Sequence, residues 1–374
     1  MTTMTATDTL RVDIRVERPA MSVCGSFEIP PGQTLALIGP NGSGKSTIAH
    51  AIAGLVPVVD GDISLGEITF DSRTGRLPIR DRRVGCVFQN PLLFGSMRVI
   101  DNVAYGIRAS GCSKRVARER VMPILERFEI ADLAMGGAGR LSGGQAQRVA
   151  IARALAMEPR VLILDEPFAA IDARAKIELR QLVREILASF SGPCLYITHD
   201  PIDALTLGDE IAVIEAGRIT QIGTPDELQR EPRSSYAASF LGINLVEGVL
   251  QDTPDGWCVE VEGDKRIWIT DPDLAAGTPV CLAIAPEAIT LSANKPEGSA
   301  RNVFEACVEA VHIQHDRVRV RFAAPAVGAE ITIGSMNRLG IVAGVRVWIS
   351  FKATDVRVYP QRTEKPSENG ANNG

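Results

Sequence analysis

Leu35-Ala-Leu-Ile-Gly39-Pro-Asn-Gly-Ser-Gly-Lys45-Ser46-Thr47 decides how the chain is read. Four apolar residues run into a glycine-rich loop, and a helical pattern, Ser46–Gly54, follows. The loop fits G-x-x-x-x-G-K-[ST] with the strand before it and the helix behind it that the pattern requires. Gly39, Pro40, Asn41, Gly42, Ser43 and Gly44 let successive backbone N–H groups turn inward around an anion. The helix start adds about half a positive charge there. Lys45 is placed to reach the outer phosphates of a nucleotide. The Ser46 hydroxyl suits Mg²⁺, with Thr47 beside it among the nucleotide contacts. A flexible Gly-rich turn is the competing reading, and the strand–loop–helix context weighs against it.

Working outward, Val161-Leu-Ile-Leu-Asp165-Glu166 is an apolar run ending in two carboxylates. Ligands of parallel sheets bind at the carboxyl ends of strands, so Asp165 falls beside the phosphates. Asp165 suits Mg²⁺ coordination and Glu166 a general base for the attacking water. Leu35–Gly39, Val84–Phe88, Val161–Asp165, Cys194–Thr198 and Ile211–Glu215 read as buried strands. Ser46–Gly54, Lys114–Phe128, Gly143–Ala156 and Ala173–Phe190 read as helices. This alternation predicts an α/β domain with a parallel sheet.

Composition agrees with a folded, multi-domain chain. At 374 residues, two or three domains are expected. With 45% hydrophobic and 23% charged residues, disorder of the whole chain is excluded. A net charge of −5 offers no basic excess for a nucleic-acid backbone. No apolar window is long enough to span a bilayer, and Met1 to Leu10 lacks a signal pattern, so a cytoplasmic location is expected. Seven scattered cysteines without a Cys-x-x-Cys pair suggest neither a disulfide framework nor a zinc site. His312 and His315, three apart in an alternating stretch, face opposite sides of a strand and are poor metal ligands.

Leu141-Ser-Gly-Gly-Gln145, set between these motifs, closely resembles the signature of the ATP-binding subunit of ABC transporters, over residues 10 to about 240. Gln89 in Val-Phe-Gln-Asn resembles the Q-loop, Ala170-Ile-Asp172 the D-loop, and Thr198-His199-Asp200 the switch histidine. The resemblance implies an α/β P-loop nucleotide-binding domain using ATP and Mg²⁺. It implies that Ser142, Gly143 and Gly144 face the γ-phosphate of a second chain's ATP in a head-to-tail homodimer. Asp172 joins that nucleotide-facing set. His199 would hold the γ-phosphate and the water, and Gln89 would sense the γ-phosphate and Mg²⁺. Two positions depart from the pattern. The family stacks an aromatic residue on adenine before the P-loop, where this chain offers only Arg15 or Arg18. Leu93-Phe-Gly-Ser-Met97 replaces the segment expected to meet the permease. The basic stretch Lys114–Arg120 reads as a solvated helix face.

After Leu241 helical periodicity vanishes and short alternating strands appear, predicting a small all-β regulatory domain of OB-like barrels over 241–360. It holds a repeat, about 244–293 and 300–358. Asn244-Leu-Val-Glu-Gly-Val resembles Asn302-Val-Phe-Glu-Ala-Cys-Val, and Gly277-Thr-Pro-Val resembles Gly344-Val-Arg-Val. A polar, disordered tail is expected over 361–374. Ser299-Ala-Arg-Asn302, Ile331-Thr-Ile-Gly-Ser335 and Lys352-Ala-Thr-Asp-Val356 resemble the TOBE or Mop-like domain of molybdate-transporter ATPases. That resemblance implies a tetrahedral oxyanion held by Ser299, Ser335 and Lys352; ordinary surface residues are the alternative. Ala285 stands in the first repeat where Lys352 stands in the second. The class implies an importer ATPase at the cytoplasmic face of the inner membrane, with separate permease subunits and a periplasmic binding protein. Molybdate or tungstate is the expected cargo. Sulfate, ferric iron, polyamine or sugar compete with it, and a soluble ABC ATPase outside transport is the remote alternative.

Overall fold

The computed structural model describes residues 8–169, 171–261, 265–314 and 316–361. Residues 362–374 of the expected tail, Ala170 and His315 lie outside them. The chain divides into two compact units, Met1–Pro225 and Asp226–Gly374.

The first unit is built on an eleven-stranded sheet. Its parallel limb runs, in spatial order, Glu210–Glu215, Thr34–Ile38, Cys194–Ile197, Val161–Asp165 and Val84–Val87. Helices cover both faces, so these strands are buried on both sides and read as continuous apolar runs. Alternation then sorts their side chains. Leu162, Leu164, Cys194 and Tyr196 pack into one core with the helices Lys114–Arg127, Gly143–Leu155 and Ala173–Ser189. Val161, Ile163, Leu195 and Ile197 pack on the other face with Ile48 and Ile52 of the P-loop helix Lys45–Ala53. By the same parity Asp165 points to the P-loop side of the sheet.

The other limb departs from the parallel expectation. Leu10–Arg18 and Met21–Ile29 form an antiparallel hairpin, and Asp60–Leu65 pairs with the first of them. Leu10–Arg18 alternates buried and exposed residues, as a strand with one solvated face does. No helix separates the two strands of the hairpin, which is why a strand–helix count does not find them.

Arg82 fastens the two parts of this unit together. It is fully buried, donating to the Ala51 and Ile52 carbonyls at 2.9 Å each and to Leu77 O at 3.1 Å. Its Nη2 lies 2.9 Å from Asp71 Oδ2. One guanidinium thus caps the C-terminal carbonyls of the P-loop helix and pairs with a buried carboxylate. Among the described residues Arg82→Met leaves Asp71 with Arg76, 3.1 Å away, and removes the guanidinium donors from the Ala51 and Ile52 carbonyls. A loss of about 3–5 kcal/mol is expected, read as a lowered midpoint for this unit's transition in denaturant unfolding followed by circular dichroism.

In the second unit the repeats interlock instead of standing as separate barrels. One five-stranded sheet runs Lys265–Trp268, Gly256–Val261, Asn244–Thr253, Pro279–Ile284 and Val356–Pro360. The other runs Thr290–Ser292, Arg346–Phe351, Asn302–Gln314, Arg317–Phe322 and Gly328–Thr332. Each repeat therefore lends its last strand to the other's sheet, after a short 3₁₀ turn at Pro286–Ala288 or Ala353–Asp355. Both sheets share one apolar core. The asparagines that open the repeats make the exchange reciprocal. Asn302 accepts from Trp268 N at 2.7 Å and donates to Trp268 O at 2.9 Å. Asn244 does the same with Gly328, at 2.6 and 2.8 Å. A side-chain amide satisfies both backbone groups of a residue only when set in that register. This unit also contains a helix, Ile333–Leu339, N-capped by Thr332 and closed by Gly340 at φ 61°. At two turns it is too short to show a helical period against the surrounding strands.

Candidate active site

The P-loop leaves the strand Thr34–Ile38 and enters the helix Lys45–Ala53. Two of its glycines are required. A Cβ on Gly39 would stand 2.2 Å from Ile214 O, and Gly44 holds φ 111°. Lys45 is buried, and its ammonium donates to Gly39 O at 2.8 Å and Pro40 O at 2.9 Å. Burial pulls the Lys45 pKa below its ordinary value, while Glu166 and Asp165 act to raise it. Asp165 is also buried, and desolvation pushes its pKa up against a hydrogen bond from Ser46. A hydroxyl, a facing carboxylate with a desolvation penalty, and the amide of Gln89 fit the sparse oxygen set of Mg²⁺. Among the described residues the buried Ser43 hydroxyl has no hydrogen-bond partner inside the same cradle.

Glu166 follows directly, but not as strand. Its φ of 48° is left-handed, which an unbranched side chain adopts only at a cost of order 1–3 kcal/mol. Its N–H donates to Ile197 O at 2.9 Å, which holds the turn against the neighbouring strand. The carboxylate is thereby brought within 3.3 Å of His199 Nδ1. Gln89, just beyond the strand Val84–Val87, completes the group. Asn41–Thr47, Gln89, Glu166 and His199 line one cavity of about 740 Å³.

Of the two arginines considered for the base, Arg18 lines this cavity with Ala20 and Met21. Arg15 instead lies 3.3 Å from Glu17. Ser142, Gly143 and Gly144 are not among the residues lining the cavity, and Ser142 and Gly143 are exposed. Ser142 caps the helix Gly143–Leu155, with Gln145 reaching back to Ser142 N at 3.0 Å. That reciprocal capping box gives Gln145 a role that Ser-x-x-Gln before a helical run already encodes. Asp172 is also exposed and accepts from Ala175 N at 3.1 Å as the cap of the helix Ala173–Ser189. In the second unit Ser335 lies in the helix Ile333–Leu339, its Oγ 3.1 Å from Thr332 Oγ1 and 3.3 Å from Arg338 Nη2. Ser299 and Lys352 are exposed, and among the described residues no hydrogen bond joins Ser299, Ser335 and Lys352.

The segment beyond Gln89 is tied to its neighbours by side-chain-to-backbone hydrogen bonds. Arg153 donates to Pro91 O and Leu92 O at 2.9 Å each. Buried Asn102 brackets Phe94, accepting from its N–H at 2.8 Å and donating to its carbonyl at 3.1 Å. Leu92, Phe94 and Tyr105 remain exposed there, with Phe94 and Tyr105 rings 4.6 Å apart.

A lysine-bearing phosphate cradle facing a buried carboxylate, with a second carboxylate and a histidine beyond it, defines a nucleotide-hydrolysing P-loop domain. A family model for ABC transporters matches residues 25–169, and one for the TOBE domain matches residues 298–358. The molybdenum import ATP-binding protein ModC of Mycobacterium tuberculosis is 37% identical over 345 residues, covering 89% of this chain and 93% of the relative. The sulfate/thiosulfate import ATP-binding protein CysA of Brucella melitensis is 36% identical over 318 residues, covering 79% and 88%. Among solved structures, cbiO1 of Clostridium perfringens, part of the ABC transporter complex cbiONQ, matches with a TM-score of 0.52 at 31% identity. That match covers 59% of this chain and 90% of the other. The chain belongs to the ABC transporter family as an ATP-binding, ATP-hydrolysing component with a C-terminal TOBE domain. Among the described residues no helix is long and apolar enough to cross a membrane.

Proposed function

We propose that this chain powers an importer for a tetrahedral oxyanion, with molybdate or tungstate as cargo. The observation that carries the reading is the match to the molybdenum import relative across both units. The sulfate/thiosulfate relatives support the same anion class and make sulfate the competing cargo. In the second unit Ser299, Ser335 and Lys352 are the anion ligands this reading assigns.

In the hydrolysis we assign, Lys45 and the loop N–H groups bind the phosphates, and Arg18 lays its guanidinium plane on the base in place of an aromatic ring. Ser46, Asp165 and Gln89 would hold Mg²⁺, which supplies charge neutralisation at the outer phosphates. Glu166 takes a proton from the attacking water, and His199 fixes that water and the γ-phosphate. A second copy supplies Ser142–Gly144 at a helix N-terminus, the anion site its own P-loop does not use. Leu92, Phe94 and Tyr105 form the apolar surface offered to permease subunits, which a periplasmic binding protein loads. On this reading the chain works at the cytoplasmic face of the membrane.

Calorimetry on the full chain with molybdate, tungstate and sulfate tests the cargo. Binding of molybdate and tungstate with silent sulfate is expected, and Lys352→Ala should abolish it. Sulfate binding with silent molybdate would transfer the assignment to sulfate. Silence with all three would remove Ser299, Ser335 and Lys352 as ligands.

A further inference from the structure

Behind His199 lies a charged cluster that neither the phosphates nor the metal ligands account for. Lys176 and Arg180 stand one turn apart on the helix Ala173–Ser189. They face Asp200 and Asp203, one turn apart at the start of the helix Pro201–Leu207. Lys176 Nζ lies 2.6 Å from Asp200 Oδ2, which also accepts from Arg180 Nη2 at 3.2 Å. Arg180 Nε donates to Asp203 Oδ1 at 2.5 Å. Two cations thus balance two carboxylates in a mostly buried setting, where such contacts outweigh surface ion pairs.

These contacts converge on the two neighbours of His199. Asp200 N–H donates to Thr198 Oγ1 at 3.0 Å, and that hydroxyl donates to Asp203 Oδ2 at 3.3 Å. Asp200 Oδ1 accepts from Ile202 N at 2.8 Å. Backbone on both sides of the histidine is therefore pinned, while the His199 side chain is 59% exposed. Burial opposes ionisation of Asp200, but Lys176, the Ile202 N–H and Arg180 together hold its carboxyl below the usual range. Neither Lys176 nor Arg180 is among the residues lining the nucleotide cavity. Their helix begins at Asp172, the end of the Ile171–Asp172 segment.

We infer that Lys176 is a positioning residue for hydrolysis: through Asp200 it fixes where His199 stands and ties that position to the Ile171–Asp172 segment. The inference rests on the role proposed for His199. A histidine displaced by a fraction of an ångström still folds and still leaves the cradle intact, so nucleotide affinity stays and the chemical step suffers.

The test is steady-state MgATP hydrolysis by the full chain, in a cycle of Lys176→Met and His199→Ala. Lys176→Met is expected to lower kcat about tenfold with KM within about twofold, an effect of the size that misplacement causes. Lys176→Arg, which keeps a cation at Asp200, should restore most of the rate. In the His199→Ala background Lys176→Met should cause no further loss. Asp200→Asn, which keeps an acceptor for Ile202 N but loses the charge, should reproduce the kcat defect. An unchanged kcat in Lys176→Met, or the same fold loss in both backgrounds, overturns the inference. Full turnover in His199→Ala would instead overturn the role of His199, and the inference with it, and is recognised without the cycle.

Discussion

Glu166→Gln is expected to bind MgATP within about threefold of the wild type while turnover falls by about 10²–10⁴-fold, the usual contribution of a positioned base. The two side chains are nearly isosteric, so the left-handed turn at φ 48° and its tie to Ile197 O are kept. What is lost is the capacity to accept the water's proton. The carboxylate also faces Lys45, whose pKa it helps to raise, so the substitution removes one negative charge beside the ammonium. Affinity for the polyanionic nucleotide therefore does not fall. Chains that bind but cannot turn over should accumulate as an ATP-held dimer in gel filtration. Substantial turnover by Glu166→Gln removes it from the base role.

Lys45→Ala is expected to act on binding instead. A buried ammonium, held by the Gly39 and Pro40 carbonyls, is the one full positive charge within the loop. Losing its charged contacts with the phosphates costs about 1.5–3 kcal/mol, or roughly 10- to 150-fold in Kd. Titration with a fluorescent ATP analogue measures this directly. The contrast between the variants, one silent in binding and the other not, separates cradle from chemistry.

Much of this site is legible in the residues because its chemistry is local. The P-loop and the carboxylate pair each occupy one short stretch whose strand or helix context fixes its direction. Parity along Val161–Asp165 even tells which face Asp165 takes. Other features depend on partners distant in the chain. Arg82 meets Asp71 and the end of the P-loop helix, and nothing in Ile79-Arg-Asp-Arg82 marks which arginine is buried. The Lys176–Asp200 contact joins residues 24 positions apart, and neither Thr198-His199-Asp200 nor the helical pattern that holds Lys176 marks the pairing. In the second unit the repeat is visible, yet the exchange of last strands is not. A repeat specifies similar units and leaves open which sheet each closing strand joins. The Asn244 and Asn302 clamps become meaningful once their backbone partners, Gly328 and Trp268, are seen. Arg18 was separable from Arg15 only by the hairpin's end, which sets one against the cavity and the other beside Glu17.

In the dimer we propose, each hydrolytic site needs the P-loop of one chain and the Ser142–Gly144 helix end of another. Mixing two inactive variants tests this. Lys45→Ala keeps an intact signature, and Ser142→Arg keeps an intact cradle. With ATP held well below the Kd of the Lys45→Ala chain, each alone should hydrolyse ATP at background. In a 1:1 mixture half of the dimers are mixed and each holds one complete site, so about a quarter of the wild-type rate should return. A mixture that stays at background, or a Ser142→Arg chain that turns over like the wild type alone, would contradict the shared site.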